Sequence, residues 1–177
     1  LSGLEKALKG VFKCQKVNMV IYADDFIITG ANKELLETQV IPVVEMFLKE
    51  RGLELNREKS KITHVEEGFD FLGHNIRWYN RGLLIRPSKA SVKNFLRGMR
   101  ETIKSNRAAK TEVLIQKLNP KILGWAHFFR HSAASRTFSY VDREIYEALI
   151  RWMQRRHPNK GKIWRNKKYF RSVGGRH

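Results

Sequence analysis

Two adjacent carboxylates, Asp24 and Asp25, lie between the apolar runs 17–21 and 26–29. Such runs, rich in β-branched and aromatic residues, predict two β-strands, so the aspartates are expected at the tip of a tight hairpin. Carboxylate oxygens on a stiff turn form the hard, anionic site that Mg²⁺ prefers, with Mn²⁺ as an alternative ion. The competing interpretation is a solvated Asp-Asp turn that binds no ligand.

Charge is distributed unevenly along the 177 residues. Residues 1–70 contain 10 Lys/Arg against 12 Asp/Glu, residues 71–177 contain 25 against 5, and the whole chain has a formal charge of +18. A strongly basic segment predicts a polyanionic partner, and nucleic acid is the first candidate. The asymmetry predicts two functional parts, an acidic-tipped piece suited to catalysis and a basic piece suited to binding.

Residue periodicity predicts an α+β chain with a boundary near Pro87. Upstream of it, helical spacing predicts helices over about 4–14 and 33–51, the second capped by Asn32 and kinked at Pro42. Further short strands are predicted at 53–55, 61–65, 69–72, 75–79 and 83–85.

Downstream of this boundary the spacing is helical throughout. Helices are predicted over about 89–104, 111–118, from 120 through 129, and 138–156. Ser88 and Thr111 are the predicted N-caps of the first two, and Asn119 caps the third with Pro120 at its first position. Four aromatic residues at helical spacing are predicted to be core: Trp125, Phe128, Phe129 and Trp152.

Four motifs in order resemble the reverse transcriptase/maturase encoded by group II introns. Tyr22-Ala23-Asp24-Asp25 resembles the catalytic hairpin of the palm. Residues 52–64 are similar to the palm motif that follows, and residues 71–74 to the primer-grip hairpin. Residues 88–170 resemble the thumb, also called the X or maturase domain, ending in an aromatic and basic cluster at 164–170.

The resemblance implies a partial palm, made of an antiparallel sheet with a helix, over residues 1–87. A basic, all-α thumb/maturase bundle is implied over residues 88–177. In this family the first metal-binding aspartate precedes the catalytic hairpin, whereas only Glu5 precedes Tyr22 here. The chain is therefore expected to be part of a longer RNA-directed DNA polymerase and to be inactive alone, because a two-metal centre needs several carboxylates.

Catalytic roles follow from the resemblance. Asp24 and Asp25 are implied to be catalytic and to ligate the metal, with Asp24 the more direct ligand. Lys59 is implied to protonate the pyrophosphate leaving group, which requires hydrogen-bond reach of that oxygen. Lys61 is its competitor for this role, and a solvated lysine is the alternative.

Substrate contacts are implied for two further segments. Tyr22 and Ala23 are expected to contact the primer end or the incoming nucleotide, although Tyr22 is equally suited to cross-strand packing. Leu72, Gly73 and His74 are expected to approach the primer backbone, because glycine permits close approach of a strand to a ligand. A bulge between two strands is the alternative for the second segment.

Basic residues at intervals of three and four predict one cationic helix face, at Lys89, Lys93, Arg97, Arg100 and Lys104. Stacked like charges repel unless phosphates neutralise them, so this face is predicted to bind an RNA or RNA–DNA backbone without reading sequence. Further RNA contacts are predicted at Arg155, Arg156, Lys160, Lys162, Arg165, Lys167 and Lys168. Three aromatic residues between these cations either stack on bases or hold the tail on the bundle: Trp164, Tyr169 and Phe170.

The predicted partners are intron or template RNA, an RNA–DNA primer duplex and dNTPs, and an exposed sheet face would favour a homodimer. No apolar run approaches the roughly 18 residues of a membrane span. The single cysteine, Cys14, fits a reducing compartment, so a cytoplasmic protein of a bacterial host is predicted, with an organelle as the alternative.

Two other functions are alternatives to this one. The first is a non-catalytic RNA-binding splicing cofactor in which the two aspartates are idle. The second is a metal-dependent nuclease, which would need further carboxylates or a catalytic histidine near the hairpin, and the sequence places none there. His127 and His131 have the spacing of zinc ligands on a helix but lack further ligands nearby, so no zinc site is predicted.

Overall fold

The computed structural model describes residues 3–170. The chain divides into two compact units, Leu1–His64 and Val65–His177. Each combines helices with one antiparallel sheet, which confirms the predicted α+β class. The predicted division at 87/88 falls inside the second unit, and as a division of function it stays a prediction. No helix within residues 3–170 has the length and apolarity needed to cross a membrane.

The first unit places a β-hairpin against three helical segments. Its elements are α1 (Leu4–Val11), β1 (Asn18–Tyr22), β2 (Asp25–Thr29), α2 (Lys33–Leu35), a π-helical segment (Leu36–Val40) and α3 (Ile41–Lys49). Asn32 is the N-cap as predicted, since its Oδ1 accepts the Leu35 N–H at 2.8 Å. The helical path continues through the π-helical segment into α3, whose first turn contains Pro42, and the kink predicted at Pro42 stays a prediction.

The core of this unit lies between α1, α3 and one face of the hairpin. Met19, Phe26 and Ile28 of the hairpin pack against it. Its buried members are Leu4, Leu8, Phe12, Leu35, Val40, Val44, Phe47 and Leu48. Burial of one hairpin face fixes the strand register, because a slip of one residue would expose these side chains.

The second unit contains a three-stranded meander followed by helices. Its elements are β3 (Phe69–Phe71), β4 (His74–Tyr79), β5 (Gly82–Pro87), α4 (Lys89–Ser105), α5 (Thr111–Phe129), α6 (Ser135–Arg156) and α7 (Lys162–Tyr169). The sheet order β3-β4-β5 confirms the strands predicted near 69–72, 75–79 and 83–85. Ser88 is the predicted N-cap of α4, since its Oγ accepts the Ser91 N–H at 3.1 Å.

Helices α4, α5 and α6 bury one continuous apolar core. Its buried members are Leu96, Met99, Ile103, Leu114, Leu118, Val141, Ile145, Ala148, Trp152 and Met153. Phe129 and Trp152 are buried and Trp125 is half-buried, as predicted. The core prediction is wrong for Phe128, which is 57% exposed. Phe128 lies instead beside the meander, where its ring centroid is 5.2 Å from that of His74.

Two predicted strands, at 53–55 and 61–65, are absent from the described part of the chain. The first segment completes the end of α3 instead, because the Leu53 N–H donates to the Leu48 carbonyl at 3.0 Å. The second forms no strand, although the Val65 carbonyl accepts a hydrogen bond from the Trp78 N–H of β4 at 2.8 Å. Apolar content alone therefore gave the wrong structure where no neighbouring strand is available.

The predicted break at Asn119-Pro120 is wrong, because α5 runs without interruption through Pro120. Thr111 is the first helical residue rather than the N-cap, which is Lys110 and makes no side-chain cap. The apolar residues of both halves continue at helical spacing and pack on the same core. Their burial outweighs the single backbone hydrogen bond that a proline removes.

Replacement of Pro120 by alanine is expected to stabilise the second unit by about 1–3 kcal/mol, because it supplies a helix N–H and removes the ring clash. The measurement is the free energy of unfolding in urea, followed by circular dichroism. Asn119→Ala tests helix propensity at the neighbouring position and is expected to contribute less than about 0.7 kcal/mol. A loss of stability in Pro120→Ala would show that packing of the proline ring matters more than the missing bond.

Candidate nucleic-acid interface and metal centre

The Asp24-Asp25 pair lies at the tip of the β1–β2 hairpin, as predicted. The strands pair in register as far as Tyr22 opposite Asp25, so Ala23 and Asp24 form a two-residue turn. Ala23 has a φ of +54°. This left-handed region is uncommon for a residue other than glycine, and it is typical of the tight turns that match the twist of a hairpin.

All four residues of this motif are exposed, and Tyr22 keeps 63% of its surface. Tyr22 and Asp25 lie opposite each other and therefore on one face of the hairpin. Val20, on the same face, is 59% exposed, whereas the other face packs on the core. The core thus anchors the hairpin and leaves its acidic tip accessible to a ligand.

The two carboxylates fit one divalent ion better than two. Mg²⁺ is commonly held by one or two carboxylates together with substrate phosphates and water, and Asp24 with Asp25 can supply that set. A two-metal site needs more ligands. Residues 3–170 contain no group of three or more His, Cys, Asp or Glu side chains arranged to hold a metal.

Lys59 lies on an exposed turn of the first unit. Its backbone N–H donates to Asn56 Oδ1 at 3.1 Å, and the Ser60 N–H donates to the Asn56 carbonyl at 2.9 Å. Arg57 Nη2 on the same turn lies 2.6 Å from Glu45 Oε1. The backbone of the turn is therefore held in place while the Lys59 side chain stays exposed, which agrees with either of its two interpretations.

Leu72 and Gly73 form the turn between β3 and β4, with φ values of +47° and +77°. Two consecutive positive φ values are typical of a type I′ hairpin turn rather than a bulge. The Gly73 carbonyl accepts the Ser88 N–H at 2.8 Å. A Cβ on Gly73 would lie 3.6 Å from Ser91 Oγ and 3.7 Å from Phe129 Cζ, so the turn lies close to the first turn of α4 and the end of α5.

His74 is held by aromatic packing. Its ring centroid lies 4.8 Å from that of Phe129 and 5.2 Å from that of Phe128, and its Nδ1 lies 3.2 Å from the Leu72 carbonyl oxygen. These contacts account for a histidine at this position without a phosphate. A contact between His74 and the primer stays a prediction.

A cleft of about 570 Å³ opens beside the Leu72-Gly73 turn. The α4 and α5 residues that line it include Ser91, Asn94, Phe95 and Trp125. Sequence reasoning missed Ser91 and Asn94 as possible ligand contacts. Their signal was their position within the first two turns of a helix that is separated from β5 by one residue, Ser88.

Helix α4 is amphipathic in the predicted sense, with its apolar side in the core. All five predicted cations are exposed: Lys89, Lys93, Arg97, Arg100 and Lys104. Arg100 Nη2 donates to Glu144 Oε2 at 2.5 Å, while no ion pair within residues 3–170 involves the other four. Four of the five, with Glu101, line a shallow groove of about 300 Å³. The face is therefore positive and only partly neutralised.

The chain after α6 packs back on the helical bundle. Helix α7 brings Tyr169 to a ring-centroid distance of 5.7 Å from Trp152, and Phe170 to 5.3 Å from Tyr146. Tyr169 Oη lies 2.8 Å from His157 Nε2. These contacts favour the interpretation in which the aromatic residues hold the tail on the bundle.

Two of the predicted RNA-binding cations in this region make intramolecular hydrogen bonds. Arg156 Nη1 donates to the Ala109 carbonyl at 2.6 Å, and Arg165 Nη1 to the His157 carbonyl at 3.4 Å. The other five are exposed: Arg155, Lys160, Lys162, Lys167 and Lys168. Two of these exposed lysines lie near Trp164, with Lys168 Nζ 4.8 Å from its ring centroid.

A cationic cluster on the β3–β4–β5 meander was also not predicted from the sequence. The guanidinium carbons of Arg77 and Arg86 lie 5.1 and 5.3 Å from the ring centroid of Tyr79. The available signal was the alternation of residues along β4, which places Arg77 and Tyr79 on the same face.

Two family descriptions match the chain in succession. "Reverse transcriptase (RNA-dependent DNA polymerase)" matches residues 2–76, and "Group II intron, maturase-specific domain" matches residues 92–170. Protein YkfC of Escherichia coli (strain K12) is 44% identical over 59 residues, which is 31% of this chain and 15% of that protein. The chain therefore covers a small part of the length of this relative.

A reverse transcriptase segment followed by a maturase-specific domain defines the class of protein. The order of the two matches and the exposed acidic hairpin agree with the resemblance in the sequence. The two matches together support a group II intron reverse transcriptase/maturase.

The contact between His157 and α7 predicts a pH-dependent stability. Burial, followed by the charges of Lys168, Arg156, Lys160 and Arg165, lowers the pKa of His157 from its usual 6.5. As the pH falls, the unfolded chain therefore takes up this proton first. The stabilising contribution is complete above about pH 6.5 and is lost as the pH falls from there through the folded-state pKa.

We expect a lower melting temperature at about pH 5 than at about pH 7.5, and a smaller difference in His157→Gln. The measurement is thermal unfolding followed by tryptophan fluorescence at both pH values. The control is His127→Gln, an exposed histidine of α5, which is expected to leave the difference unchanged. An equal pH dependence in His157→Gln and the wild type would contradict the assignment.

Proposed function

We propose that this chain is the C-terminal palm segment and the thumb/maturase domain of an RNA-directed DNA polymerase that also binds its intron RNA and assists splicing. The observation that supports this most directly is the exposed Asp24-Asp25 turn, anchored by a buried hairpin face. Residues 1–87 would contribute to catalysis and residues 88–177 to RNA binding. The reaction would be phosphoryl transfer, in which positioning and charge stabilisation do most of the work.

In this proposal the hairpin holds the catalytic ion. Bound Mg²⁺, or Mn²⁺, would neutralise charge on the dNTP triphosphate and favour attack by the primer 3′-hydroxyl. Asp24 and Asp25 would ligate it, with a further carboxylate supplied by another part of the polymerase. Tyr22 would contact the primer end or the nucleotide, and the small side chain of Ala23 leaves space for the end of a duplex.

Two exposed segments would complete the polymerase contacts. Lys59, on its hydrogen-bonded turn, would donate a proton to the pyrophosphate leaving group. The Leu72-Gly73 turn, with His74 behind it, would guide the primer backbone along the adjoining cleft. These residues lie on turns whose backbones are fixed by hydrogen bonds, which is what precise positioning of a substrate requires.

The basic face of α4 would bind the phosphate backbone of intron RNA or of an RNA–DNA primer duplex. Four of its five cations have no carboxylate partner within residues 3–170, so phosphates would relieve their mutual repulsion. The exposed cations from Arg155 to Lys168 would extend this contact, whereas Arg156 and Arg165 mainly hold the fold together.

A second candidate function is a splicing cofactor that binds RNA but has no polymerase activity. It is favoured by one observation: the described residues contain no complete set of metal ligands around the acidic hairpin. We place either function in a reducing compartment, a bacterial cytoplasm first and an organelle second. The exposed outer face of the hairpin, with Val20 and Tyr22, would suit a homodimer contact.

The catalytic proposal is tested in a polymerase that joins this chain to an upstream palm segment with a further aspartate. Extension of oligo(dT) on poly(rA) by dTTP is expected, and Asp24→Asn is expected to slow it about 10²–10³-fold through weaker charge stabilisation. Asp142→Asn, an exposed aspartate of α6, is the matched control and is expected to leave the rate unchanged.

Two outcomes would redirect this conclusion. Extension by the 177-residue chain alone would contradict the need for a further carboxylate. A joined protein that promotes splicing equally well with and without Asp24→Asn, and extends no primer in either form, would support the cofactor instead.

RNA binding by α4 is tested with the triple variant Lys93→Gln/Arg97→Gln/Lys104→Gln. Loss of three phosphate contacts is expected to weaken binding and to reduce the slope of log K against log salt by about two to three. The measurement is fluorescence anisotropy of a labelled RNA hairpin duplex over a series of KCl concentrations.

The matched control for charge is Lys6→Gln/Lys13→Gln/Lys49→Gln, which removes three exposed lysines of the first unit. It is expected to keep the wild-type slope. Equal losses in both triple variants would mean that RNA responds only to the net charge of the protein, which would contradict a binding face on α4.

A further inference from the structure

We infer that the face of the β4–β5 hairpin bearing Arg77, Tyr79 and Arg86 is a second phosphate-binding site for RNA, separate from the basic face of α4. This inference rests on the proposed function, in which RNA is the partner. It adds a site on the meander to one on the helical bundle.

The sheet register places the three side chains on one face. Arg77 and Tyr79 are two residues apart on β4, so they point the same way. Arg86 on β5 pairs with Asn75, two residues before Arg77, and therefore shares that face. All three side chains are exposed, and Tyr79 keeps 38% of its surface.

The tyrosine ring orders both guanidinium groups. The Arg77 and Arg86 guanidinium carbons lie 5.1 and 5.3 Å from its centroid, within the range of a cation–π contact. A guanidinium against an aromatic ring keeps its N–H groups available for hydrogen bonds, and its planar fork matches a phosphate bidentately. Less side-chain freedom is then lost when a phosphate binds.

A glycine fixes the stem of Arg77. Gly68, with a φ of +81°, lies so close that a Cβ on it would approach Arg77 Cβ to 2.9 Å and Cγ and Cδ to 3.1 Å. Real side chains almost never tolerate such distances, so only glycine leaves room for the aliphatic part of Arg77 here. The aliphatic part of Arg77 is thus packed against the Gly68 backbone, and its guanidinium group against the Tyr79 ring.

The cluster is positive, and its arginines have no ion-pair partner among the described residues. The register places Asp70, opposite Asn75, on the same face, but its Oδ1 accepts a hydrogen bond from Asn75 Nδ2 at 2.7 Å and makes no ion pair with either arginine. No ion pair within residues 3–170 involves Arg77 or Arg86, whereas Arg57, Arg100 and Arg151 each have a glutamate partner. Two positive charges beside the same ring repel each other, and an anion that bridges them removes that repulsion. In a chain of net charge +18 from a family with RNA partners, the RNA backbone is the anion that fits. Contacts of this kind position RNA without reading its sequence.

The test is the binding of a labelled RNA hairpin duplex to the 177-residue chain by fluorescence anisotropy, at KCl concentrations from about 50 to 200 mM. Arg77→Gln/Arg86→Gln is expected to weaken binding roughly tenfold and to reduce the salt slope by about two. Arg77→Lys/Arg86→Lys keeps both charges but loses the planar fork, and an intermediate loss is expected.

The matched control is Arg143→Gln/Arg151→Gln, which removes two exposed arginines of α6 and the same net charge. It is expected to keep the wild-type affinity and slope. Equal losses in the control and in the hairpin variant would overturn the inference, because RNA would then respond to net charge alone. Wild-type RNA binding by the hairpin variant would also overturn the inference. The anion that fits the two arginines would then be an acidic protein partner instead of RNA.

Gly68→Ala supplies an independent test through geometry instead of charge. It is expected to displace Arg77 and weaken RNA binding, and to have no further effect on binding when Arg77 is already glutamine. An additive loss would overturn the argument that Gly68 acts by holding Arg77. Melting temperatures measured in parallel separate weaker binding from loss of fold.

Failure of this inference is distinguishable from failure of the proposed function. If the α4 triple variant loses RNA binding and the hairpin variant does not, the second site is wrong and the proposed function stands. If neither variant changes RNA binding, both proposals fail.

Discussion

Burial of one face of each amphipathic element is the constraint on which both units depend. The β1–β2 hairpin packs Met19, Phe26 and Ile28 inward, and this packing alone determines that Tyr22 and Asp25 point outward. Helix α4 likewise places Leu96, Met99 and Ile103 in the core and all of its cations on the surface. A charged face can be dense in one sign because the opposite, apolar face supplies the stabilising energy. The position of the core therefore determines which residues of the hairpin and of α4 are exposed.

The two units differ in how they treat surface charge. In the first, four of the ten Lys and Arg residues have a glutamate partner, as in the Arg57–Glu45 and Lys33–Glu37 pairs. In the second, Arg100 is the one α4 cation with an ion pair within residues 3–170. The other four cations of α4 and both arginines of the meander cluster have none there, and Arg156 donates to backbone carbonyls. Mutual repulsion of these charges weakens the fold slightly, and in the proposed function bound phosphates would relieve it.

Local signals were sufficient wherever short-range chemistry decides the structure. Asn32 and Ser88 were found as N-caps because an N-cap needs only its own side chain and the next turn. The Asp24 turn followed from its two flanking strands. The family resemblance supplied functional roles for these residues, which geometry alone does not assign.

The predictions that were wrong concern features that tertiary packing determines. Pro120 lies within a helix because both halves of α5 share one core, and segment 53–55 is no strand because it has no neighbour to pair with. The Arg77–Tyr79–Arg86 cluster could not be predicted from the sequence, because it depends on the register that pairs β5 with β4. Information of this kind is not contained in any single segment.

Pro120 also has a mechanical consequence. A proline inside a helix leaves the carbonyl one turn earlier without its usual donor, and helices bend most readily at such points. The N-terminal half of α5 contributes Leu114 and Leu118 to the core shared with α4. The C-terminal half of α5 brings Trp125 to the edge of the cleft beside Gly73. Flexing at this joint would widen or narrow the cleft while the cationic surface of α4 stays still.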